Sequence, residues 1–537
     1  MPRATPNAVQ NILSSVIVPL LSIFLLPVSL TAVALCIAQR RLGPPSAGGK
    51  RLGSSVQVDD KTLAEPQRGQ RGCVIISGGR MAKSLTLARA FKRAGWQVIG
   101  VEEEGYVAAL PSEAVSRFPL NPRRWGELCP LRFSSAVSHF YLLPPTTIYP
   151  SYASTLRHIA QTHSATLFIP VSGAGSSVED SRAAQELFDA TQGRCRTFVQ
   201  DEQTMLDLHD KDRFINLVKR LGMIVPKGRM VNSVDEAMEY MRSVRGERGM
   251  SGYLLKCMGL DENRGDMTLF PLEGDGEDLK RTDERIRGLK LPITKECPYV
   301  FQEFIPGQEH CTHASVVDGR ITSFVTCPSN DMLMTYTSVT SEPIGRRSEQ
   351  WTQTLLDRLA SDPTSRGEKR SLTGHFSFDF IQSDVDGEFY PLECNARVHT
   401  AVILLPLDRI ASCYESVTTT TSSTAEPLRP IRGTVARTWW YNDLIMRYLP
   451  SLVPSHLLPI LHPSLLACAP PSKPPREGTP GGESLWAWRV EPTLVADDWV
   501  PFLVLWHIFW PYLLVSRWWK GKKWTRLNVS TGRIFEA

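Results

Sequence analysis

The chain has 537 residues and carries 60 lysines and arginines against 55 aspartates and glutamates, a formal net charge of +5. Both signs are interspersed, which excludes the concentrated cationic face of a nucleic-acid binder. At 42% hydrophobic and 21% charged the chain is too apolar to be disordered, and its length calls for three or four structural units. Its 11 cysteines are scattered without CxxC pairs, which argues against a disulfide scaffold and a zinc ribbon.

From Ile12 to Ala38 no charge occurs, and Arg40, Arg41, Lys50 and Arg51 follow. Such a run is long enough to cross a bilayer, and the positive-inside rule then places the rest of the chain in the cytoplasm. A cleaved signal peptide competes, with Ala32-Val33-Ala34 as its cleavage site, but the apolar run is longer than a usual signal core. The expectation is a single-pass anchor over 1–41, followed by a Gly/Pro linker over 42–70.

A strand at 73–77 leads through Gly78-Gly79 into a helix over 81–95 and a strand over 97–103. With strands at 139–143 and 166–170, and helices at 151–163 and 179–190, this pattern predicts an α/β unit over 71–200 with a doubly wound parallel sheet. The glycines do not form a dinucleotide fingerprint. A Walker loop is also absent, since aligned on Lys83-Ser84 its glycines would be Ser77 and Ala82. A second unit over 201–410 begins with helices at 210–222 and 234–244 and strands at 227–230 and 253–257, then continues in antiparallel strands from Tyr299 to Asn395. Residues 411–483 hold a Thr/Ser patch (418–424) and a Pro/Gly linker (470–482), and 484–537 is a Trp-rich tail. Its apolar stretch Trp499–Ser516 is expected to be interfacial or core, because spanning would put Arg517, Lys520, Lys522 and Lys523 on the wrong side.

The strongest local pattern is HFSFDFIQSDVDGEFYPLECNARVH (375–399). Phe376, Phe378 and Phe380 alternate with Ser377 and Asp379, giving one aromatic and one polar strand face. A hairpin turning at Val385-Asp386-Gly387 pairs residues whose numbers sum to 772, so Asp379 faces Glu393, and Asn395 and Arg397 follow on the same face. Two opposed carboxylates repel, a cost that Mg²⁺ would remove. Singly, Lys211 at a helix start, Lys256 at a strand end and Glu309 in a turn read as ordinary surface charges.

In this order they do not. Residues 204–405 resemble the ATP-grasp superfamily through the DKDRF helix start, Lys256, QEFIPGQE, Asp379 and LECNAR, and 71–200 is similar to the domain preceding that fold. Asp379 stands where many members carry Glu, and the loop after Lys256 is less glycine-rich than usual. The resemblance implies a Rossmann-like pre-ATP-grasp domain and a two-subdomain α+β ATP-grasp fold. It also implies ATP between the subdomains. Backbone groups of Glu303 and Ile305 would then lie at the adenine, Glu309 at the ribose, and Lys211 and Lys256 at the phosphates. Asp379, Glu393 and Asn395 would hold two Mg²⁺ (or Mn²⁺), Arg397 would be catalytic, and the loop 259–266 would form a lid. The implied activity is ADP-forming ligation of an amino acid or other amine to a phosphorylated carboxylate or enol. The tail RLNVSTGRIFEA looks like that of mycosporine-glycine synthase-type ligases, which act on cyclohexenones, and the anchor looks more like fungal secondary-metabolite enzymes of the superfamily. A small-molecule kinase on the same fold and a non-catalytic membrane-held ATP-binding scaffold are the alternatives. An NAD-dependent oxidoreductase is the weakest.

Overall fold

The computed structural model describes residues 7–42, 71–104, 128–244, 252–257, 268–329, 334–362, 372–418, 426–443 and 490–536, isolated positions aside. The expected linkers at 42–70 and 470–482, the Thr/Ser patch and the loop 259–266 lie, but for their edge residues, outside them.

The first unit is a five-stranded parallel sheet of β1 (Cys73–Ile76), β2 (Gln97–Glu103), β3 (His139–Leu143), β4 (Leu167–Ile169) and β5 (Arg196–Thr197), in the order β3-β2-β1-β4-β5. Its central strands are buried on both faces, which is why CVII and QVIGVEE read as nearly continuous apolar runs. Helix α2 (Ala82–Arg93) connects β1 to β2, and α3 (Tyr149–Thr162) and α4 (Ser177–Ala190) flank β4. Gly78, at φ +70°, turns the chain into α2, where a Cβ would lie 2.3 Å from the Val171 carbonyl.

The second unit has two antiparallel sheets. One runs β6 (Gly228–Val231), β9 (Tyr299–Glu303), β7 (Tyr253–Cys257), β8 (Leu269–Phe270). The other runs β11 (Arg320–Pro328), β10 (Gly307–Val317), β12 (Gly374–Ser383), β13 (Phe389–Asn395). They are joined directly, since β9 ends at Glu303 and β10 begins at Gly307. Helices α5 (Glu202–His209) and α6 (Lys211–Arg220) pack beneath the second sheet. Asp210 caps α6 by accepting from the Arg213 amide at 2.9 Å, and Phe214, Leu217 and Val218 form its buried stripe. Phe376, Phe378 and Phe380 are fully buried there, with Phe378 stacked on Phe214 at 5.8 Å. The aromatic face therefore makes the core and leaves the polar face for the site.

The hairpin turn differs from its expected form in one respect. Ser383, not Asp384, closes it against Glu388, so the register near the turn sums to 771 (Gln382 with Phe389). A bulge at Leu392 adds one residue and restores 772 from Asp379 onward. Asp379 does face Glu393, by cancellation of a longer turn and a bulge that no local signal announces.

Two helices are long and apolar enough to cross a membrane by length and composition: Ala8–Arg41, within α1 (Ala8–Leu42), and Val500–Trp519, here α10. Helix α10 buries Phe502, Leu505, Trp506, Trp510 and Leu514, as the core reading of 499–516 requires. It is followed by the hairpin β14 (Trp524–Asn528) and β15 (Arg533–Glu536), whose turn packs on the start of α2.

Candidate active site

The polar face of the second sheet gathers side chains from three strands. Asp379 on β12 stands opposite Glu393 on β13 and Cys311 on β10, and Ser377 stands opposite Asn395. The Asn395 amide lies between the two carboxylates, its Nδ2 3.3 Å from both Asp379 Oδ2 and Glu393 Oε1. Asn395 Oδ1 in turn accepts from Arg397 Nη2, and the Arg397 carbonyl accepts from Ser377 Oγ at 3.0 Å. Lys211, first residue of α6, reaches the same group, with Nζ 2.6 Å from Glu393 Oε2.

Burial first and the Glu393 charge second push the Asp379 carboxyl well above the ordinary range. A divalent cation between the two carboxylates would relieve that repulsion. The two carboxylates are hard oxygen donors, as Mg²⁺ requires, whereas the Asn395 oxygen is turned to Arg397 and would join them only after the amide rotates. Among the described residues no cluster of three or more His, Cys, Asp or Glu side chains is arranged to hold a metal. The pair fits an ion whose remaining ligands come from phosphate and water.

The other expected site residues lie on the first antiparallel sheet, in the link, or at the start of β10. Lys256 on β7 donates to Gln302 Oε1 at 2.5 Å. Glu303 is engaged through its amide, which donates to the Lys227 carbonyl at 2.7 Å, and its side chain, which accepts from the Lys227 amide at 3.0 Å. Its amide is therefore engaged within the chain. Ile305 is buried in the link, and the neighbouring Pro306 carbonyl accepts from the Asp384 amide at 2.9 Å, tying the link to the hairpin turn. Glu309 is exposed on β10, two residues before Cys311, and its charge contributes to the raised Asp379 carboxyl.

Sequence reasoning passed over Lys83. It sits in the first turn of α2 and is 4% exposed, and its Nζ donates to the Val398 carbonyl at 2.5 Å. Burial, with Arg397 second, brings its ammonium down to about 7. Beyond it the polar face continues as His313 and His375, ring centroids 5.6 Å apart, with the His399 amide donating to His313 Nδ1 at 3.3 Å. His313 and His375 are held neutral by burial, with the nearby Lys83 charge acting in the same direction. The only available signal was a lysine inside a helix whose other residues pack inward, and a helical period does not reveal which lysine is buried.

The tail closes this side. The Ala82 amide, at the N-terminus of α2, donates to the Ser530 carbonyl at 3.1 Å, and Thr400 Oγ1 lies 3.3 Å from Ser530 Oγ. Gly78-Gly79 therefore leads into a helix end whose first amide is already capped by the chain itself, and the glycines serve a tight turn.

No family model and no curated protein matches this chain. Among solved structures it is similar to the ADP complex of N5-carboxyaminoimidazole ribonucleotide synthetase, with 14% identity, 62% of this chain and 72% of that chain covered, and a TM-score of 0.41. It is also similar to L-amino acid ligase from Bacillus licheniformis, with 13% identity, 62% and 69% covered, and a TM-score of 0.39. A third is the biotin carboxylase domain of Hydrogenobacter thermophilus 2-oxoglutarate carboxylase in complex with MgADP, with 16% identity, 67% and 72% covered, and a TM-score of 0.43.

Proposed function

We propose that this chain is an ATP-grasp ligase that phosphorylates a carboxylate or enol oxygen and joins that carbon to an amine, releasing ADP. One observation carries the reading. Glu393, Asp379, Asn395 and Arg397 form a connected line on one sheet face that Lys211 joins from its helix, while Lys256 stands on a second sheet, whose last strand runs into the first through Phe304, Ile305 and Pro306. Cations and paired carboxylates divided between two linked sheets suit a nucleotide triphosphate held between them.

In this reading Asp379, Glu393 and Asn395 hold Mg²⁺, which when bound neutralises phosphate charge. Lys211, now on Glu393, turns to the phosphates, and Lys256 meets them from the facing sheet. Arg397 steadies the transferring phosphoryl group, and phosphoryl transfer needs little beyond such positioning and charge. The acceptor oxygen takes the γ-phosphoryl group and ADP leaves. The amine nitrogen then attacks the activated carbon, the carbon–oxygen bond breaks, phosphate departs with that oxygen, and the nitrogen loses a proton. An amino acid as amine and a cyclohexenone or small carboxylate as acceptor, in secondary-metabolite biosynthesis of the mycosporine or alkaloid kind, complete the proposal. Residues 8–42 would hold the enzyme at a membrane.

The test is ADP release by the full-length protein with Mg²⁺, pooled amino acids, and a panel of carboxylic acids and cyclohexenones. ADP that requires amine and acceptor together supports a ligase, whereas ADP with acceptor alone indicates a kinase. Glu393→Gln is expected to lower Mg²⁺-dependent ADP release by about a hundredfold or more with the fold intact, as loss of a charge clamp does. Unchanged turnover would remove the metal assignment.

A further inference from the structure

Helix α1 is built inside out. In a water-facing helix the polar residues point outward. Here Asn11, Ser15, Ser22 and Ser29 are turned into the protein and are 9% exposed or less, with Val18 and Leu25 between them on the same seam. The outward positions are apolar: Leu20 is 59% exposed, Ile23 70% and Phe24 80%. Small and polar residues on the packed side with large apolar ones outside is the pattern of a helix whose solvent is hydrocarbon.

The seam packs against α10, and the two helices run antiparallel. Near one end the Asn11 side chain donates to the Lys522 carbonyl at 3.4 Å. Along the middle Ser22 Oγ donates to the Trp506 carbonyl at 2.9 Å, and His507 joins the Ser22 carbonyl at 2.8 Å to Ser29 Oγ at 2.7 Å. Ser29 Oγ also meets Tyr441 OH at 2.5 Å. At the other end Arg40 pairs with Asp497 at 3.2 Å. On α10, Ile508 and Trp519 continue the exposed apolar surface.

Both flanks of α10 return to one place. Asp498, just before it, binds Arg89, and Ser530, beyond it, accepts from the Ala82 amide, so both are fastened to α2. Seven residues of helix separate Ala82 from Arg89, about 10 Å, while the 20 residues of α10 extend about 30 Å. If α10 crossed a bilayer, the return segment with Lys520, Lys522 and Lys523 would have to recross the hydrocarbon as exposed backbone and charge, which is forbidden. Because α1 is fastened to α10 from Asn11 to Ser29, it cannot cross separately in this arrangement.

We propose that α1 and α10 form an in-plane pair whose outer apolar face is buried in one leaflet of a bilayer, with the body and both ends of α1 on the same side. The expected single-pass anchor becomes a monotopic one. The occupant is a lipid bilayer with anionic headgroups, which Arg40 and Arg41 at one end of the pair and Arg517, Lys520, Lys522 and Lys523 at the other would meet. This inference is independent of the ligase reading.

The full-length protein is expected to float with phosphatidylcholine vesicles containing a minority of phosphatidylserine. The double variant Leu20→Asp, Phe24→Asp is expected to float about tenfold less, with an unchanged circular dichroism spectrum and melting temperature. A short epitope tag before Met1 is expected to be digested by protease added outside intact microsomes carrying the protein. This second readout does not depend on the variant folding. Protection of the tag until detergent is added would show a spanning helix and overturn the proposal. So would absence of the tag from the membrane-bound protein before any protease is added, failure of the wild-type protein to float, or a stable dimer that masks the apolar face in the absence of lipid.

Discussion

Asp379 shows what a half-buried like-charge pair does to a site. Burial, with Glu393 opposite, pushes its carboxyl well above the ordinary carboxylate range, a cost that a cation between the two would relieve. Lys211 already balances Glu393, and Arg397 is linked through Asn395. Arg397→Ala is therefore expected to lower kcat by about a hundredfold or more with a small change in KM for ATP, because its charge acts on the developing phosphoryl charge. Steady-state kinetics check this, and a pure rise in KM would make Arg397 a binding residue. Lys83 carries a pH prediction. Its ammonium falls from 10.5 to about 7 on folding, so between those values the unfolded chain holds a proton that the folded chain lacks. Its contribution to stability thus rises with pH from about 7 toward 10.5. Lys83→Met is expected to flatten that rise, as read from urea midpoints across the window. An unchanged slope would show that Lys83 does not titrate there.

The decisive element is the link between the two antiparallel sheets. At Gly307 a Cβ would lie 1.9 Å from the Gln382 carbonyl oxygen, so β10 can start against β12 only with glycine at that point. Gly307→Ala is expected to cost about 1–3 kcal/mol, as overpacking does, and to weaken ATP binding by shifting one sheet against the other. Urea denaturation and nucleotide titration measure the two effects, and a variant with wild-type stability would contradict the close approach. The hairpin of β12 and β13 carries a separate lesson. Its alternating faces were legible because a period of two is local, while the true turn and the compensating bulge were not, because each is settled by packing on β10 and α6.

At the scale of the molecule, Asp498 fastens the tail to the first unit. Its carboxylate binds Arg89 Nε at 2.7 Å and accepts from Ser134 Oγ and the Ser135 amide, each at 2.7 Å. The two partners respond differently. Burial lowers the Arg89 guanidinium despite its pairing, whereas burial of the Asp498 carboxyl is outweighed by the Arg89 charge, with the Ser134 and Ser135 donors next, so that carboxyl is held below its ordinary range. Removing one partner leaves the other buried and unbalanced, so Asp498→Ala is expected to cost about 3–5 kcal/mol in chemical denaturation. Arg89 retains the Thr493 and Asp498 carbonyls, which sets the lower end of that range. A loss below about 1 kcal/mol would place the pair in a more solvated setting than its burial indicates.

The sequence alone determined the order of elements and the polar line of the hairpin, because periodicity, capping at Asp210 and the glycine turn at Gly387 act over a few residues. Only the tertiary structure decided that Lys83 reaches Val398, that Ser530 caps α2, and that the serine seam of α1 closes on His507. Those contacts join residues more than 300 positions apart. A buried polar group satisfied at such a distance leaves no mark on its neighbours in sequence, and its partner is chosen by how the packed units meet.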